Sequence, residues 1–104
     1  MRGRSPSSLS DEELFSELKR LAARERESTV EVLRHLAELD KRSALGQTST
    51  PSLFVYCVRE LGYAEGAAYL RIRAARCAGE YPRIYILLKR GRITLTAVSF
   101  LAPH

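Results

Sequence analysis

Apolar residues at Leu14, Leu18, Leu21, Val32, Leu36 and Leu39 follow one another at intervals of 4, 3, 11, 4 and 3. Intervals of three and four mark one face of an α-helix, and eleven is close to three full turns, so the stripe stays in phase. Ser10-Asp11-Glu12-Glu13 precedes it and has the form of a capping box: Ser10 can accept from the Glu13 N–H while Glu13 reaches back to the Ser10 N–H. The three acids also suit the positive end of the helix dipole. No Gly or Pro interrupts Leu9 to Leu45, which predicts one helix from about Asp11 to Ala44 (10–45 with its caps), ~50 Å long at 1.5 Å per residue. Its middle, Arg24-Glu25-Arg26-Glu27-Ser28, is polar all round, so it either bridges two packed ends through solvent or marks a bend between two shorter helices. The leucine stripe also allows a dimerising coiled coil, which Glu25 and Ser28 weaken.

Beyond a turn at Gly46–Thr50 the elements shorten. Thr50-Pro51 offers an N-cap and a first helical residue. A second helix, about Pro51 to Leu61, would bury Leu53, Phe54, Cys57, Val58 and Leu61, with Gly62 as its left-handed end. A third runs from about Glu65 to Ala78 and stops at Gly79. Pro82 opens a fourth, Arg83 to Arg90, burying Ile84, Ile86, Leu87 and Leu88 and stopped by Gly91; Arg83–Leu88 also reads as a strand. Thr94 caps a fifth that carries Leu95, Val98 and Leu101 as far as Pro103. The fold class is therefore all-α: one long N-terminal helix followed by four short ones, the second and third forming a helix-turn-helix-like pair. Residues 1–9 read as a disordered arm and 10–104 as a single helical domain, with the four-helix region over 50–104.

A length of 104 residues suits one domain, and 45% hydrophobic residues is a globular value. No apolar run approaches the roughly 20 residues of a membrane span, and MRGRSPSS has no apolar segment behind its arginines to make a secretory signal. The expectation is a cytoplasmic protein. Cys57 and Cys77 form no CxxC pair, and only His35 and His104 could join them, so reduced thiols are expected and no metal or cofactor. Thr94, Thr96 and Ser99 have no base within sequence reach, which argues against a hydrolase. Charge is unevenly placed. Residues 1–50 hold nine basic and nine acidic side chains; residues 51–104 hold eight basic against three acidic, and so the whole net charge of +5. Such asymmetry suits a polyanion-binding surface; a solvated arginine-rich face is the plainer alternative.

Three blocks, "LSDEELFSELKRLAARERESTVEVLRHLAELDKR", "SLFVYCVRELGYAEGAAYLRIRAAR" and "YPRIYILLKRGRITLTAVSFLAPH", together resemble the N-terminal helical region of bacterial HNH endonuclease-type proteins. The last also looks, by its arrangement of helices and breaks, like the helix-turn-helix region of ParB-type partition proteins. The resemblance covers Leu9 to His104. It implies a DNA-associated accessory domain that is not an enzyme, because the HNH module, with its histidine base and metal ligands, is missing from this sequence. The chain ends on Pro-His, which reads as the end of a fragment. Ala64 stands where the family pattern has a serine cap.

On a wheel centred on Ile72, Ala68, Ala75 and Gly79 lie within about 60° as a narrow packing face with Tyr69 at its edge. Gly66, Tyr69, Leu70, Arg73 and Cys77 fall on the neighbouring outward sector, where a recognition helix presents its base contacts. Two readings stay open. In one, Arg73 and Tyr69 enter the groove of double-stranded DNA, Arg71, Arg76 and Arg59 hold its backbone, and Lys89, Arg90 and Arg92 clamp phosphates. In the other, the third helix is only core, Lys89 and Arg90 only satisfy a helix end, and the chain is a protein-interaction or homodimerisation module. That module would act through the long helix and a Leu70/Cys77 surface. Neither reading involves a membrane or a small-molecule substrate.

Overall fold

The computed structural model describes residues 4–42 and 52–101. Five α-helices account for most of them, with no strand among the described residues: α1 (Asp11–Arg42), α2 (Leu53–Arg59), α3 (Glu65–Glu80), α4 (Arg83–Lys89) and α5 (Leu95–Leu101). α1 is one uninterrupted helix of 32 residues, so the polar stretch Arg24–Ser28 is not a break; nor does it bridge two packed ends, since Phe15, Leu18 and Leu21 before it are exposed. The strand alternative for Arg83–Leu88 is excluded, since α4 is helical throughout. The Gly46–Thr50 turn, the Thr50-Pro51 cap, and the expected helix ends at Ala44 and Pro103 lie outside the described residues.

Local signals act where the sequence puts them. The Ser10 N–H donates to Glu13 Oε1 at 2.9 Å and the Glu13 N–H to Ser10 Oγ at 3.1 Å, closing the capping box. Of the expected arm, residues 1–3 lie outside the described residues; Pro6–Ser8 form one 3-10 turn, and Arg4 reaches Glu13 at 3.1 Å. The Ser10 N–H bond, working against desolvation and aided by the Arg4 charge, holds the Glu13 carboxyl below its ordinary 4.5. A carboxyl with a depressed folded-state pKa stabilises the fold above its unfolded value and loses that contribution as pH falls through the folded one. A series of melting temperatures should therefore decline below pH 4.5, and less steeply in Glu13→Gln, which keeps the reciprocal bonding but not the charge. Equal slopes would show that the box does not depend on ionisation.

Gly62 (φ 77°) and Gly91 (φ 71°) occupy the left-handed region at the ends of α2 and α4, as their positions after the last apolar residues require. Gly79 does not stop α3. The helix runs through it to Glu80, with Tyr81 as its C-cap, and Gly79 does not take the positive φ of a helix-ending glycine. α2 begins at Leu53, capped by Ser52, whose Oγ accepts from the Val55 N–H at 3.1 Å. Thr94 caps α5 through the Ala97 N–H at 3.1 Å. Ala64 offers α3 no side-chain cap.

α3 is the central element and packs on the four other helices. Four of its six buried residues are alanines (Ala68, Ala74, Ala75 and Ala78), with Ile72 and Cys77, and small side chains allow axes to approach closely. Against them α1 sets Val30, Leu33 and Leu36. The buried stripe of α1 is thus rotated from the expected one: Val32 and Leu39 are only partly covered, and Phe15, Leu18 and Leu21 are exposed. α4 buries Ile84, Tyr85 and Leu88 in place of Ile86, which faces outward. Leu61 and Leu101, assigned to the core by spacing, are exposed as well. Arg34 lies over the Tyr85 ring at 4.5 Å and joins α1 to α4; burial raises the Tyr85 hydroxyl pKa, and the Arg34 charge opposes this.

Candidate nucleic-acid interface

The three arginines of α3 have structural work. Arg73 Nε donates to the Ser99 carbonyl in the last turn of α5 at 3.0 Å, and its Nη1 donates to the Tyr69 hydroxyl at 3.1 Å. A guanidinium on a last-turn carbonyl serves an acceptor that the helix itself leaves unpaired. Arg71 donates to the Ala67 carbonyl at 3.1 Å and sits 4.6 Å above the Tyr63 ring, fastening α3 to the turn before it. Arg76 makes a two-pronged pair with Asp40 of α1, both contacts 3.2 Å. That pair is more than one-third exposed on both sides, so it contributes about 0.2–1 kcal/mol. Hydrogen bonding to Asp40 raises the already high Arg76 pKa against desolvation, leaving it charged throughout the accessible range.

The expected outward sector of α3 is therefore not a continuous one. Tyr69 is exposed and Leu70 half-buried, but Cys77 is 2% exposed and belongs to the core. The reason is that α5 packs on this flank of α3 and widens the buried face beyond one narrow stripe. A Leu70/Cys77 docking surface does not form. Burial also raises the Cys57 and Cys77 thiols above their ordinary pKa.

The other predicted cations are differently placed. Arg59 lies exposed in the last turn of α2. Lys89, Arg90 and Arg92 are exposed around the tight turn at Gly91, with no acidic partner among the described residues. Arg26, from the polar middle of α1, joins them: its Nε donates to the Lys89 carbonyl at 3.1 Å and lies 3.2 Å from where a Gly91 Cβ would be. Four cationic residues from two distant parts of the chain thus lie around the Gly91 turn at one corner of the domain. Sequence reasoning missed Arg26, whose only signal was an arginine in a helix stretch with no apolar face.

Among the described residues, no group of three or more His, Cys, Asp or Glu is arranged to hold a metal ion, and no helix is long and apolar enough to cross a membrane. His35 Nδ1 is 2.6 Å from the Glu31 carbonyl one turn back on the same helix. Ser99 Oγ donates to the Thr96 carbonyl at 2.6 Å, a bond within α5, with no base beside it among the described residues. No protein-family model, curated protein or solved structure matches this chain.

Proposed function

We propose that the chain is a non-catalytic helical domain that binds or positions double-stranded DNA through its phosphates, as its resemblance to the N-terminal region of HNH endonuclease-type proteins implies. The observation that carries this reading is the corner where Arg26, Lys89, Arg90 and Arg92 converge. The Arg26–Lys89 bond fixes the end of α4 against α1, so the cations are presented by a braced turn. Cations without acidic partners attract a polyanion and release its counterions on binding. In this reading the phosphate contacts move from α3 to the α4–α5 turn, with Arg59 as a further backbone contact. Within the helix-turn-helix-like pair of α2 and α3, Tyr69 is the exposed group left for a base or sugar. Arg71, Arg73 and Arg76 support the scaffold.

Fluorescence anisotropy with labelled duplex DNA over a salt series tests this. The triple variant Lys89→Ala/Arg90→Ala/Arg92→Ala should bind more weakly at every salt concentration, and its logarithmic salt slope should fall by about 0.9 per lost contact. Unchanged affinity and slope in a folded triple variant would refute the corner as the DNA contact. Arg73→Ala is a poor substitute for this experiment, since its loss also frees the Ser99 carbonyl.

A further inference from the structure

The first half of α1 carries an apolar face that the domain does not cover. Phe15 is 67% exposed, Leu18 62% and Leu21 42%, with Leu14 half-buried beside them. At 100° per residue Leu14, Leu18 and Leu21 lie within about 60° of one another and Phe15 on their flank. Soluble domains seldom leave such a cluster on one helix without a partner.

The charges along the same helix say which partner fits. Residues 11–18 hold Asp11, Glu12, Glu13 and Glu17 and no base; residues 19–26 hold Lys19, Arg20, Arg24 and Arg26 against Glu25 alone. A second copy laid parallel would set acid on acid and base on base. Laid antiparallel, with its two-fold axis near Leu18, it sets each acidic turn against the basic turns of the other. The apolar cluster then meets its own image, as an isologous contact requires. Opposed helix dipoles also favour that direction. The existing pairs, Arg4–Glu13 and Glu17–Arg20, are exposed at their arginines, so they can be shared across the seam.

We infer that this chain self-associates as an antiparallel homodimer through residues 11–26 of α1, centred on Leu18. The segment is ~24 Å long, which suits a reversible dimer better than a permanent one. The apolar cluster from Leu14 to Leu21 is distinct from the basic corner's exposed turn and only Arg26 belongs to both, so variants at Leu18 test the dimer without touching the DNA contacts.

Sedimentation equilibrium of the full chain up to several hundred micromolar is the first measurement. A monomer–dimer equilibrium is expected, with Leu18→Glu monomeric at all concentrations and unchanged in helix content. Orientation is read by oxidative cross-linking. Leu18→Cys should form a disulfide-linked dimer, whereas Leu14→Cys should not, because an antiparallel axis at Leu18 separates the two Leu14 positions. The native Cys57 and Cys77 are buried, and the wild-type chain controls for them. A wild-type monomer throughout would overturn the inference and leave the face to a different protein. So would cross-linking of both variants, which would mean parallel pairing, or a Leu18→Glu chain that still dimerises.

Discussion

Leu33→Ala should lower the unfolding free energy by about 2–5 kcal/mol, the range for deleting a fully buried leucine side chain. Leu33 has no exposed surface, and it shares one buried core with the four alanines of the central helix. Those small neighbours have no long side chains with which to fill a void, which places the loss toward the upper part of that range. Urea denaturation followed by circular dichroism measures it, with the slope expected to stay constant. Leu18→Ala, the same substitution on the same helix, provides the contrast. Leu18 is exposed in the monomer, so at the dilute end of a concentration series the change should stay within about 0.5 kcal/mol. Equal losses at the two positions would contradict the placement of the core against the second half of α1.

Gly91→Ala should be costlier than Gly62→Ala, although both glycines have nearly the same positive φ. A non-glycine residue in the left-handed region costs about 1–2 kcal/mol, and at Gly62 that is the whole effect, since an added Cβ meets nothing within 4 Å. At Gly91 the Cβ would come 3.2 Å from Arg26 Nε and 3.4 Å from its Cζ. The Arg26 side chain must give by a few tenths of an ångström, which strains the bond that ties it to the Lys89 carbonyl. Hydrogen bonds to charged groups contribute roughly 1.5–3 kcal/mol, less where solvent can replace them, so the two variants should differ by about 1 kcal/mol in denaturation midpoints converted to free energy. Equal losses would mean that Arg26 swings aside without cost. On the proposed function, the same variant should also weaken DNA binding, because it displaces Arg26 at the basic corner.

The boundaries of the helices were open to reading because their causes are local. A capping serine three residues before a glutamate, a threonine before α5, and a glycine forced to positive φ each act within one turn of chain. Helix ends shifted by a residue or two where a second local signal competed: α2 starts at Leu53 on the Ser52 cap, and α3 continues through Gly79 to Glu80, Gly79 not taking a positive φ. Faces were harder to read than boundaries. The second half of α1 is apolar at Val30, Val32, Leu33, Leu36 and Leu39, enough for more than one stripe, and only the position of α3 selects Val30, Leu33 and Leu36.

The candidate site divides along the same line. Sequence alone determined an all-helical chain, its order of one long and four short helices, and a second half in which cations outnumber acids. Those properties follow from spacing and composition. The roles of individual arginines were decided by tertiary structure, because each depends on a group far along the chain. Arg76 meets Asp40 36 residues away, Arg73 meets the Ser99 carbonyl 26 away, and Arg26 meets the Lys89 carbonyl 63 away. A helical wheel gives the direction in which a side chain leaves its helix. Whether an acid, a carbonyl or open water waits there is set by how the helices pack.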